Sequence, residues 1–206
     1  SGTTGLHLAL MTVGVERDDL VVLPSLTFIA SANAIAHCGA SPWLMDVSPD
    51  SWALDPILFR QALETGTEQR NGETFHKATG RRVKAVMPVY VLGQPADMDP
   101  IVETARQFGL AVVADGAAAL GATYKDRPLG DLGADLTVIS FNGNKTVTAG
   151  GGGAVCGNDQ TVVALARHLG ATARCDKGYN HDRVGYNYRM TNLQAAVGCA
   201  QMERVD

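Results

Sequence analysis

The feature that most constrains this chain is an alternation, between residues 20 and 156, of short apolar runs with longer amphipathic segments. Leu20–Pro24, Trp43–Val47, Val83–Val89, Ala111–Ala114, Leu136–Phe141 and Gly153–Cys156 are rich in aliphatic residues and nearly free of charge. Strands read this way when helices cover both faces and neither face meets water. Thr4–Val13, Thr27–His37, Pro56–Leu63, Met98–Phe108, Gln160–Leu169 and Asn192–Arg204 read as helices. Repeated strand–helix units predict an α/β fold around a mainly parallel sheet. Asp97-Met98-Asp99-Pro100 predicts a helix start, with an acidic cap and proline in the first turn.

Two stretches depart from this pattern. Thr65–Arg82 is polar and contains Asn71-Gly72, so a surface hairpin or loop is expected there. Gly170–Arg189 is a second polar stretch, rich in Arg, Tyr and His. The 206 residues suffice for one substantial core, and 46% hydrophobic against 18% charged residues excludes disorder. A net charge of −4 argues against a nucleic-acid partner, so any anionic ligand must be held by local groups. No apolar run approaches a membrane span and no signal peptide is read, so a cytoplasmic setting is expected. Cys38, Cys156, Cys175 and Cys199 lie far apart with no C-x-x-C pair. They are expected to be buried small hydrophobes in a reducing cytosol rather than disulfides or metal ligands. The chain opens without Met and stops inside an expected helix, so both ends are expected to be cuts in a longer polypeptide.

Three places could carry chemistry. Lys145 follows an apolar strand and precedes the glycine run 150–153. A lysine there can lose solvation, which frees its amine for imine chemistry, and the glycines would let backbone and a ligand approach closely. Taken alone, it reads more readily as an ordinary solvated lysine. Asp115 ends the run Ala111–Ala114, where open α/β sheets place ligands, but Asp is also a favoured helix N-cap. Ser1-Gly2-Thr3-Thr4 precedes a helical run, and its N–H groups suit an anion, although a plain cap is the commoner use.

Taken in order, these segments resemble the DegT/DnrJ/EryC1/StrS family of pyridoxal-5′-phosphate (PLP)-dependent sugar aminotransferases. The resemblance runs through Ser1-Gly2-Thr3, Pro24-Ser25-Leu26-Thr27-Phe28, Gly93-Gln94-Pro95-Ala96-Asp97-Met98-Asp99 and Asp115. It continues through Ser140–Lys145, the glycine run and Gly185-Tyr186-Asn187-Tyr188-Arg189-Met190. Thr65–Arg82, Ser140–Lys145 and Ala171-Thr172-Ala173 look most like the branch making 4-amino sugars for legionaminic-acid-type or related surface glycans.

The resemblance implies the fold-type-I, aspartate-aminotransferase large domain: a mainly parallel, seven-stranded-type sheet covered by helices on both faces. Residues 1–206 would be that PLP-binding domain, cut at both ends and without the C-terminal small domain. Lys145 would be the Schiff-base lysine and proton shuttle, and Asp115 the partner that keeps the ring nitrogen protonated. Gly2, Thr3 and Thr4 would bind the cofactor phosphate together with Ser140, and Phe28 would stack on the ring. Asn187 would reach the phosphate of a neighbouring subunit, which implies a homodimer with shared active sites. The substrates would be a nucleotide-linked 4-keto-6-deoxy sugar and an amino-acid donor, glutamate in most relatives. Arg174, Lys177, Arg183 and Arg189 are candidates for the sugar nucleotide's charge, and equally solvated loop residues.

The sequence departs from the family at Ala114-Asp115-Gly116-Ala117-Ala118, where relatives carry Gln or Glu at the position of Ala118. That leaves the tuning of the ring in question, and with it a rival reading as a non-catalytic or inactive relative. A PLP-dependent sugar dehydratase is a second rival. Such relatives typically replace the lysine with histidine, so Lys145 argues against it.

Overall fold

The chain is described from a computed structural model that covers residues 1–175 and 178–205. The first half runs α1 (Gly2–Thr12), β1 (Leu20–Pro24), α2 (Ile29–His37), β2 (Ser41–Met45), α3 (Pro56–Gly66), β3 (Thr67–Arg70), β4 (Glu73–His76) and β5 (Val83–Val86). The second runs α4 (Met98–Gln107), β6 (Ala111–Asp115), β7 (Thr123–Tyr124), β8 (Arg127–Pro128), β9 (Leu136–Ser140), β10 (Gly153–Cys156), α5 (Gln160–Gly170) and α6 (Asn192–Met202).

The apolar runs form the sheet. Its order is β10-β9-β6-β5-β1-β2, with β10 antiparallel to β9 and every other neighbour parallel. Six strands of the expected seven-stranded-type sheet are thus present among the described residues. Because successive side chains on a strand point to opposite faces, each central strand feeds two cores. Val22, Val86, Val112 and Ala114 join Phe59 and Leu63 of α3 and Met98 and Ile101 of α4 on one face. Val21, Leu23, Ala85 and Val113 join Leu6 and Leu10 of α1 and Ala34 and Ile35 of α2 on the other.

The departures from expectation have local causes. α2 begins at Ile29 rather than Thr27, since Phe28 is extended (φ −70, ψ 144). β5 ends at Val86 because Pro88 has no N–H to donate. Pairing nevertheless goes on past it: Asp115 N–H donates to Pro88 O at 2.9 Å, and Tyr90 N–H to Asp115 O at 3.0 Å. The polar insertion is a hairpin, β3–β4, turned at Asn71 and Gly72, both with positive φ (53 and 82) as a tight I′-type reversal requires. Asp97 occupies the N-cap of α4 but makes no side-chain cap bond, and accepts the Tyr124 hydroxyl instead. The cysteines are free among the described residues, yet none is buried: Cys38 and Cys156 are half-buried, and Cys175 and Cys199 are exposed. Among the described residues no helix is long and apolar enough to cross a membrane.

Candidate active site

All the parallel strands end on one side of the sheet, and four of them deliver residues to one cleft of about 440 Å³. β1 leads to Leu26 and Phe28, β5 to Val89–Leu92, β6 to Asp115, Ala117 and Ala118, and β9 to Ser140, Asn142 and Lys145. The N-terminal turn of α1 adds Gly2 and Thr3. This is where doubly wound sheets hold ligands, and the volume suits a small one.

Asp115, 6% exposed, is the polar floor of the cleft. Ser31 of α2, fully buried, donates its hydroxyl to Oδ2 at 2.7 Å, and the Ala117 N–H donates to Oδ1 at 3.1 Å. Burial pushes the Asp115 carboxyl above the usual carboxylate range, while Ser31, Ala117 and the charge of Lys145 pull it back. Lys145 is half-buried and lies in a loop closed by Phe141, whose N–H donates to Gly152 O at 3.1 Å and whose carbonyl accepts from Ala149 N–H at 3.0 Å. Amine and carboxylate therefore line the same cleft, as a flat ring bridging them requires.

At the helix end, Ser1 caps α1 by accepting from Thr4 N–H at 3.3 Å. A side chain on Gly2 would bring a Cβ to 3.1 Å from Ser140 Cβ and 3.5 Å from that of Ala117. Glycine there keeps the corner between α1, β6 and β9 open enough for a ligand. Thr3 faces the cleft, but Thr4 does not: its hydroxyl donates to Ser1 O at 2.9 Å, and it lines a neighbouring cavity instead. Phe28 lines the cleft at 77% exposure, beside Leu92 at 88%, so the rim is apolar and open.

The remaining candidates lie elsewhere. Asn187 is exposed, bridged to Ala171 and away from the cleft. Arg174 donates to Gly178 O and stacks over Tyr179, and Arg183 reaches Asp182. Arg189 lines the neighbouring cavity with Arg167, whereas Lys177 lies outside the described residues. The glycine run serves chain packing rather than the cleft, which none of residues 150–153 lines. A Cβ on Gly153 would stand 2.6 Å from Ile139 O, and one on Gly152 (φ 90) 2.6 Å from Met190 Cε.

Three buried polar residues had no warning in the sequence. One is Ser31. Tyr90 lines the cleft at 2% exposure, and burial raises the pKa of its hydroxyl, which has no hydrogen-bond partner among the described residues. On α1, His7 sits 3.1 Å from the Tyr188 hydroxyl, with its pKa lowered by burial and by His37.

The sequence profile of the DegT/DnrJ/EryC1/StrS aminotransferase family matches residues 1–206. The chain belongs to this family. GDP-perosamine synthase of Caulobacter vibrioides is 46% identical over 207 residues, covering 100% of this chain and 51% of the relative. Among solved structures, S. venezuelae DesV superposes with a TM-score of 0.86 at 34% identity, over 100% of this chain and 51% of that one. Bacillus subtilis NtdA, solved with bound cofactor PMP, superposes at 0.84 with 26% identity, over 100% and 43%. The chain thus spans about half the length of the relatives it matches. Members of the DegT/DnrJ/EryC1/StrS family are PLP-dependent. The cleft fits that cofactor: it joins an amine, a buried carboxylate and a helix N-terminus whose corner Gly2 leaves open.

Proposed function

We propose that residues 1–206 form the cofactor-binding large domain of an aminotransferase that converts a nucleotide-linked 4-keto-6-deoxy sugar to its 4-amino sugar, for surface-glycan synthesis. The observation that carries this reading is the shared cleft of Lys145 and Asp115, at the strand ends beside the start of α1. PLP, when bound, supplies an aldehyde for imine formation and a ring that accepts electrons. Gly2, Thr3 and Ser140 would hold its phosphate, by backbone N–H groups, hydroxyls and the helix dipole. Asp115 would hold a proton on the ring nitrogen, Phe28 would cover one face of the ring, and the Lys145 amine would anchor the cofactor and then move a proton as base and acid.

Similarity to GDP-perosamine synthase supports a GDP-linked sugar as substrate. The amino donor would be an amino acid, glutamate. Asn187, exposed on the segment after α5, would complete the site of a second subunit in a homodimer. Unpaired cysteines support a cytoplasmic setting. The test is an amino-transfer assay on the full-length protein, with glutamate and GDP-, UDP- and dTDP-linked 4-keto sugars, beside its visible spectrum with added PLP. A cofactor band with transfer to the GDP sugar is the expected result. No band and no transfer to any of the three would sink the reading.

A further inference from the structure

Thr27, Ser31 and Asp115 form a relay with one polarity. The single proton of the Ser31 hydroxyl is committed to Asp115 Oδ2 at 2.7 Å. The 2.8 Å contact between the Thr27 and Ser31 hydroxyls is then one that Thr27 donates, shorter than its other contact, to Phe28 O at 3.2 Å. With Ala117 N–H on Oδ1, each carboxylate oxygen accepts one donor from the chain and keeps a further lone pair, and Asp115 lines the cleft.

The charge state of this group matters as much as its direction. A carboxyl this buried tends to take up a proton, and a neutral acid would present an O–H where a protonated ring nitrogen needs an acceptor. Val138 and Val89, which flank Asp115 in the sheet, bring no charge. Among the described residues, Lys145 is the charged group acting on it, in the same direction as Ser31.

We propose that Ser31, backed by Thr27, is a positioning residue that keeps the Asp115 carboxylate ionised and aimed into the cleft, toward the ring nitrogen of bound PLP. The cofactor half of this statement rests on the aminotransferase reading above. The hydroxyl relay itself does not.

The test uses the full-length protein, first without PLP, following the Asp115 carboxyl by ¹³C NMR against pH. Ser31→Ala is expected to raise its midpoint by about one to two pH units, the value of a hydrogen bond to a charged group. Thr27→Val should raise it by less, in the same direction, and it keeps the test open should Ser31→Ala fold poorly. With ¹⁵N-labelled PLP bound, the ring nitrogen should lose its proton at lower pH in Ser31→Ala than in wild type, a change that mere loosening of α2 would not produce. Unchanged midpoints in both variants overturn the proposal, and so does an unchanged ring-nitrogen titration. If wild type binds no PLP, the aminotransferase reading fails, while the carboxyl midpoints still decide what Ser31 does.

Discussion

Asp115 and Lys145 share a cleft but are held in opposite ways. Asp115 ends a strand buried on both faces, and a hydroxyl and a backbone N–H fix its two oxygens. Lys145 lies beyond the end of β9 among exposed neighbours, and its amine makes no hydrogen bond or ion pair among the described residues. One group is locked and the other is left free. That division suits the proposed function, in which the acid would stay in register with a ring while the amine would first hold the cofactor and then carry a proton.

Removing the free group should have the largest effect. Lys145→Ala in the full-length protein should lower amino transfer by about 10³-fold or more and abolish the visible cofactor band. Retained transfer would mean that another amine does the work. Asp115→Asn keeps the shape of the locked group but not its charge. A charge-assisted hydrogen bond of about 3 kcal/mol predicts a loss of about 100-fold in kcat, with the band still present.

Gly153→Ala probes the far end of the Lys145 loop, where the added methyl meets the Ile139 carbonyl. Urea unfolding should show a loss of about 1–3 kcal/mol, with the Asp115 carboxyl titrating as in wild type. A shifted titration would show that loop and floor are coupled.

The smallest effect concerns the cost of locking an acid away from water. The folded pKa of Asp115 lies above its ordinary value of 3.8, so the native state binds the proton more readily than the unfolded chain. The penalty for ionising it is absent below 3.8 and is fully felt once pH has risen past the raised folded value. In cofactor-free protein, Asp115→Asn should therefore compare more favourably with wild type at neutral pH than at about pH 3.5. Equal differences in Tm at the two pH values would show that the carboxyl carries no such penalty.

Much of the fold was legible because its cause is local. Leu136–Ser140 and Ala111–Asp115 advertise a sheet covered on both faces by being apolar throughout, and Asn71-Gly72 announces a reversal that needs two positive φ angles. Lys145 and Asp115 were visible as residues placed just where such strands end. Ser31 was not, because a serine within Ile29–His37 looks like any small helical residue. Its bond to Asp115 arises only when the fold brings α2 to the end of β6, a contact between positions 84 residues apart. Asp97 misled for the matching reason: an acid before a helix reads as a cap, but Tyr124, brought in by the β7–β8 hairpin, takes the carboxylate. The glycine run misled too, since nothing local tells a close approach to a ligand from one to Ile139 or Met190.

The exposed aromatic and aliphatic rim around this polar floor has an evolutionary consequence. Phe28 and Leu92 stand in connecting segments, outside the packed layers, and most of their surface meets water. In descendants of such a scaffold the Leu92 side chain can vary at little cost to the packed layers that hold Asp115.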